Sequence, residues 1–243
     1  RAIIETGIGV CAIIVISAIG GYVLGLFQAG GLSFALTAYL VNLGAENLLL
    51  LLIICAVTNI VLGLGLPTLA VYVMLAILVA PALVKVGVTP MAAHLFILYF
   101  GIMSLITPPI ATAAFVAATI AKTDPMAAGW TAMRFGWASY IVPFLFVYSP
   151  ALIMRGRALE IGLVMILSIA GIWFVCAAFT GYAMRVMPPP MRIAFGLAGL
   201  LLLMPFQAST INGWLNAAGG VLGVALLVYE IRGNRKKVSS VPA

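Results

Sequence analysis

Gly63-Leu64-Gly65-Leu66-Pro67-Thr68 decides how this chain folds, because it stands in the middle of a long apolar stretch. Glycine and proline are the poorest helix formers, and proline also withdraws a backbone N–H. A second string of this kind, Ser104-Leu105-Ile106-Thr107-Pro108-Pro109, follows about forty residues later. In a bilayer, each interruption frees backbone amides and carbonyls that hydrocarbon cannot satisfy. Interrupted helices persist there only where protein, water or a bound ion takes over those groups. Two neighbouring interruptions point to a solute and ion site near the membrane midplane.

Composition supplies the bilayer. The chain has 243 residues, of which 65% are hydrophobic and 7% charged, with a mean hydropathy of +1.28. Soluble domains carry roughly 25% charged residues, so this is an all-α, polytopic membrane protein. Its net charge of +7 comes from twelve Lys and Arg. They sit at the ends of apolar segments or in the tail Arg232, Arg235, Lys236 and Lys237. Positive-inside topology explains that pattern better than nucleic-acid binding. Cys11, Cys55 and Cys176 lie singly in apolar runs and read as small buried hydrophobes. One histidine and five acidic residues leave no carboxylate pair, Ser-His-Asp set, HExxH motif or phosphate-binding loop. The reading is therefore no enzyme and no cofactor. The chain begins at Arg1 without a cleavable signal or initiator Met, which reads as a piece of a longer protein.

Apolar runs fall at 3–27, 47–62, 68–84, 91–106, 109–121, 137–154, 159–179, 191–204 and 213–231. The runs 47–62 and 68–84 would each rise about 24–26 Å at 1.5 Å per residue. A hydrocarbon core is roughly 30 Å thick, so the pair is predicted to form a re-entrant hairpin. Runs 91–106 and 109–121 are predicted to be one span broken at Thr107-Pro108-Pro109. The stretches 30–44 and 124–134 each read as an interfacial helix or an ordinary loop helix. With a cytoplasmic C-terminus, alternation places nine basic residues inside: Arg1, Lys122, Arg134, Arg185, Arg192 and the four of the tail. Lys85, Arg155 and Arg157 then fall outside. The opposite topology reverses that ratio, so the C-terminus is predicted to be cytoplasmic.

At the first interruption, Asn59 lies one helical turn before Gly63, on the same side. Gly63 and Gly65 permit positive φ and close backbone approach. Pro67 turns the chain, and Thr68 stands where its hydroxyl can cap the next half-helix. Carbonyl and hydroxyl oxygens of this kind suit a sodium-sized ion. The outgoing helix N-terminus would face an anionic group. At the second interruption, Ser104 and Thr107 flank Pro108 and Pro109, and Ala111, Ala113 and Ala114 are small enough to admit another backbone. Set against this, Gly and Pro are simply more frequent in membrane helices. His94 reads as an interfacial, hydrogen-bonded histidine ahead of a proton relay or substrate contact. Asp124 before Pro125 is predicted to cap the following helix. Trp130, Trp137, Tyr140 and Tyr148 read as interfacial aromatics.

These strings resemble the large (DctM-like) membrane subunit of tripartite ATP-independent periplasmic (TRAP) transporters, and most of all the fused permeases that work with TAXI-type solute-binding proteins. Ala92-Ala93-His94-Leu95-Phe96, Tyr99-Phe100-Gly101, Asp124-Pro125-Met126, Gly129-Trp130, Pro143-Phe144 and Tyr148-Ser149-Pro150-Ala151-Leu152 extend the likeness over about residues 1–155. The resemblance implies an elevator-type importer in the bacterial inner membrane, built from two inverted repeats. Sodium would be the coupling ion, and a periplasmic TAXI-type binding protein would deliver an organic anion. Carried over residue by residue, the ion- and substrate-binding candidates are Asn59, Gly63, Gly65, Pro67, Thr68, Ser104, Thr107, Pro108 and Pro109. Gly63, Gly65, Thr68 and Thr107 are the candidate sodium ligands. The family carries this pattern twice and one copy is read here, so the N-terminal half of the same permease is an expected partner. The implied layout is a scaffold helix and interfacial arm at 1–45 and a transport-domain repeat at 46–155. Further transmembrane helices fill 156–231, and a basic cytoplasmic tail occupies 232–243. The competing reading is a non-transporting membrane scaffold or assembly subunit whose kinks only shape helix packing.

Overall fold

A computed structural model describes residues 2–66, 68–205 and 210–238. Among these residues the chain is helical, without a named strand, and divides into two compact units, residues 1–147 and 148–243.

The first unit opens with α1 (Ala2–Ala29), which exposes Val10, Ile14, Ile19, Tyr22 and Leu26, the surface a lipid-facing helix needs. Gly31, at φ +69°, turns the chain into α2 (Leu32–Glu46). The hairpin follows as α3 (Leu48–Gly63) and α4 (Thr68–Leu78). Asn47 starts α3 by accepting a hydrogen bond from the Leu50 N–H through its side chain. Where one arm was expected over 68–84, the helix stops at Leu78 and restarts as α5 (Ala80–Lys85). Pro81 explains the restart: its ring conflicts with the carbonyl four residues back, but it is tolerated in a first turn.

The predicted broken span is present as α6 (Pro90–Met103) and α7 (Thr112–Ala121), with residues 104–111 between them. The short α8 (Pro125–Phe135) begins on Asp124, whose Oδ2 accepts from the Ala127 N–H at 2.6 Å, as its sequence predicts. The unit closes with α9 (Trp137–Tyr148), which contains Pro143. Ring contacts lock α9 to α6. Phe144 meets Phe96 and Phe100 edge-on, with centroids 5.4 and 5.7 Å apart, and Tyr99 meets Phe146 at 5.5 Å.

The second unit starts with a 3₁₀ turn (Pro150–Ile153) and continues as α10 (Ala158–Thr180), α11 (Pro189–Leu202) and α12 (Thr210–Val238). Residues 158–180 and 213–231 are each long and apolar enough to cross a bilayer. Small residues set the spacing of these helices. A Cβ placed on Gly199 would lie 2.5 Å from Val175 Cγ2 and 2.7 Å from the Gly171 carbonyl, and one on Gly223 would lie 2.7 Å from Phe174. The loop after α10 is held by two arginines. Arg192 donates from Nε and Nη2 to the Ala178 and Phe179 carbonyls at 2.9 and 3.0 Å, covering the open end of α10. Arg185 forms a two-pronged ion pair with Glu230 of α12, at 3.0 and 3.2 Å, and lies over the Tyr229 ring. Hydrogen bonding to Glu230 holds the Arg185 guanidinium above its ordinary pKa.

Candidate functional site

The two interruptions touch. Gly63 ends α3, and the tip is a tight turn in which the Leu64 N–H reaches the Val61 carbonyl and the Leu66 N–H reaches the Gly63 carbonyl at 3.4 Å. Gly65 sits in that turn at φ +78°, in open space, a conformation that L side chains rarely adopt. Across from it, the Ser104 hydroxyl approaches the Gly63 carbonyl at 2.9 Å and the Gly101 carbonyl, one turn back on α6, at 2.6 Å. A serine hydroxyl has one hydrogen, so the two carbonyls share it. The approach needs glycine on both sides. A Cβ on Gly63 would fall 2.7 Å from Ser104 Oγ, and one on Gly101 would fall 2.9 Å from Val71 Cγ1 on the outgoing arm.

Between α6 and α7 the backbone runs through successive turns. The Leu105 N–H bonds to Ile102, Ile106 to Met103, Ala111 to Thr107, and the Ala113 N–H folds back to the Leu105 carbonyl at 3.0 Å. The Pro108–Pro109 peptide is cis, and Ala111 enters α7 with φ +32°. Pro108 is half-buried and Pro109 exposed. α8 and the Gly136 that caps it lie over this stretch: a Cβ on Gly129 would stand 3.1 Å from Pro108 Cγ, and one on Gly136 would stand 2.8 Å from Ile106 Cδ1.

Thr107 carries the polar chemistry here. Its hydroxyl is 2.6 Å from the Met103 carbonyl and 2.7 Å from the Tyr140 hydroxyl on α9. Tyr140 was expected at the membrane interface. Instead it is half-buried against the break, 6.5 Å ring to ring from Phe100, and Trp137 is buried as well. Of the four aromatics expected at the interface, Trp130 keeps an exposed ring. No local pattern separates an inward tyrosine from an outward one at the start of an apolar helix, so the sequence carries no signal for this contact.

Asn59 is fully buried, at 0% exposure, and neither its Oδ1 nor its Nδ2 has a hydrogen-bond partner. A buried carboxamide left this way costs about 1–3 kcal/mol. Orphaned buried polar groups are rare enough to call for an explanation such as an absent ion or water. Thr68 is exposed at the first residue of α4, and Pro67 lies outside the described residues. The structure thus brings together Gly63 and Ser104, keeps Asn59 one turn below them on α3, and ties Thr107 to α9.

His94 is half-buried on α6, with Nδ1 3.0 Å from the Tyr72 hydroxyl of α4. That contact spans the same two helices as the Val71–Gly101 packing, so the histidine serves as a hydrogen-bonded strut on the outgoing arm. Sequence reading also missed the Arg185–Glu230 pair, whose members are 45 residues apart.

The family model described as "Tripartite ATP-independent periplasmic transporter, DctM component" matches residues 1–161. No curated protein and no solved structure matches the chain.

Proposed function

Because the chain belongs to the DctM family and is a membrane permease component of a TRAP transporter, we propose that its first unit holds one sodium-binding half-site of an organic-anion importer. Sodium would satisfy oxygens that the tip leaves unpaired and supply a counter-charge to the anionic cargo, so that ion and cargo cross together, which links transport to the ion gradient. The supporting observation is the orphaned Asn59 carboxamide one turn from the glycine tip, where the Gly63 carbonyl meets the Ser104 hydroxyl of the broken helix. Oxygen donors without a carboxylate fit a monovalent, hard cation better than a transition metal. The candidate ligands are the Asn59 carboxamide, the carbonyls of Gly63 and Gly65, and the hydroxyls of Thr68 and Thr107. Ser104 adds a hydroxyl beside the Gly63 carbonyl, Pro108 and Pro109 shape the backbone of the break, and Pro67 remains a candidate from its sequence alone. The family implies a periplasmic binding protein as partner. We assign it to the TAXI type, with a carboxylate as cargo, the C-terminus cytoplasmic, and the N-terminal half of the permease supplying the second half-site.

The test compares sodium with potassium. Purified protein should gain thermal stability in sodium chloride over an equal concentration of potassium chloride, by about 2.7 kcal/mol when sodium is a hundredfold above its dissociation constant. Asn59→Leu separates a ligand from a packing accident. If Asn59 grips the ion, the sodium-specific gain disappears. If the protein is only a scaffold, no such gain exists and removing the orphaned amide raises stability in both salts. In cells, Thr107→Ala and Gly65→Leu should abolish sodium-dependent uptake of labelled carboxylates while leaving membrane insertion intact. Unchanged uptake in both variants would refute the assignment.

A further inference from the structure

Thr107 has one hydroxyl hydrogen and two close oxygens. Met103 O, at 2.6 Å, is a carbonyl and only accepts, so that hydrogen is spent on α6's own backbone. The 2.7 Å contact to Tyr140 therefore uses the phenol's hydrogen, with Thr107 Oγ1 as acceptor. One lone pair of Thr107 remains, and its direction is fixed by the other two bonds. We propose that Tyr140 is a positioning residue for the ion site, setting the orientation of the one lone pair that Thr107 can offer to a cation. This deepens the reading of the site as sodium-binding and rests on it.

Two features make the phenol separable from the ring that carries it. The ring is held by Phe100, which in turn packs edge-on against Phe144 at 5.7 Å, so α9 stays docked without the hydroxyl. Pro143 has no N–H to reach the carbonyl of Ser139, so α9 lacks one backbone bond next to Tyr140. The arrangement gives Thr107 a hydrogen-bond donor from a different helix, so its rotamer is set by where α9 stands as well as by α6. A hydroxyl that only back-bonded to its own helix would keep both lone pairs open, with nothing to select which one faces the ion.

The experiment titrates the intact permease with sodium chloride at constant ionic strength, balanced by potassium chloride, and reads the sodium concentration giving half of the sodium-specific thermal stabilisation. Tyr140→Phe should raise that midpoint about 2- to 10-fold, the range a neutral hydrogen bond supports. In potassium chloride it should lower the melting temperature by no more than the loss of one hydrogen bond, whereas a merely structural tyrosine would lower it without moving the sodium midpoint. Thr107→Ala should also raise the midpoint, and Tyr140→Phe added to Thr107→Ala should raise it no further. Thr107→Ser, which keeps the hydroxyl, should preserve the sensitivity to Tyr140→Phe. The proposal is overturned if Tyr140→Phe leaves the midpoint in place, or shifts it by the same factor with and without the Thr107 hydroxyl. A wild-type protein that responds equally to sodium and potassium overturns the sodium reading itself and this inference with it.

Discussion

Gly63→Ala is the sharpest test of the contact between hairpin tip and helix break. The new methyl would sit 2.7 Å from Ser104 Oγ, 3.0 Å from Ser104 Cβ and 3.2 Å from Val71 Cγ1. Ser104 cannot clear it by rotating its hydroxyl alone, because its Cβ is also too near. The hydrogen bond to the Gly63 carbonyl is lost, at about 0.5–1.5 kcal/mol, and overpacking adds about 1–3 kcal/mol. The better helix propensity of alanine returns at most about 1 kcal/mol. The net is a destabilisation of about 1–3 kcal/mol, or roughly 3–10 °C of melting temperature for a chain of this size. Thermal unfolding of detergent-purified protein reads this directly. The companion variant Gly63→Ala/Ser104→Gly removes both serine atoms from the methyl's path and should recover the overpacking share but not the hydrogen bond. A Gly63→Ala protein as stable as wild type, or a double variant no better than the single one, would refute the claimed approach of α3 and α6.

The second unit supplies two further predictions. Arg185→Met strands the fully buried Glu230 carboxylate and should lower the melting temperature clearly, whereas Arg185→Met/Glu230→Leu should recover most of the loss, since an apolar pair can replace a buried ion pair but a lone buried charge cannot be tolerated. A double variant as unstable as the single one would argue against that pairing. Gly199→Ala drives a methyl into Val175 and the Gly171 carbonyl and should cost about 3 kcal/mol, the upper end for overpacking because one obstacle is backbone; limited proteolysis of the 181–188 loop should accelerate accordingly, and an unchanged cleavage rate would count against the tight α10–α11 crossing.

Both interruptions were legible in the sequence because proline and glycine act on their own backbone, within a turn of where they stand. The same locality made Asp124-Pro125 readable as a helix start. The restart at Ala80 was equally local, and Pro81 was its signal, yet the surrounding apolar run masked it as one continuous arm. Tyr140 and Glu230 belong to another class. Each owes its role to a partner tens of residues away, Thr107 and Arg185, and the periodicity of an apolar helix does not mark which polar tip turns inward. Asn59 was singled out for its spacing from Gly63, but that it lacks any partner is a property of the packed state alone.

Counting donors and acceptors at the tip shows what a bound cation would have to displace. The Gly63 carbonyl has two lone pairs, and here the Leu66 N–H and the Ser104 hydroxyl approach it. Met103 O accepts from the Thr107 hydroxyl and from the Ile106 N–H. Those oxygens cannot hold an ion as they stand, whereas Asn59 Oδ1 is free of donors. Ser104 has an exit, however. The Gly101 carbonyl, at 2.6 Å, is nearer than Gly63 and can take the whole of its hydrogen. A small rotation of one hydroxyl would then release a lone pair on Gly63 O and turn a lone pair of Ser104 Oγ toward the same space, with no backbone group left unpaired. Ser104→Ala cannot make that exchange. It leaves the Gly63 carbonyl open at all times but removes the second oxygen, so sodium should bind it more weakly even though the tip is less obstructed. Tighter sodium binding by Ser104→Ala would mean that the serine only blocks the carbonyl, and the hydroxyl would then have no part in gripping the ion.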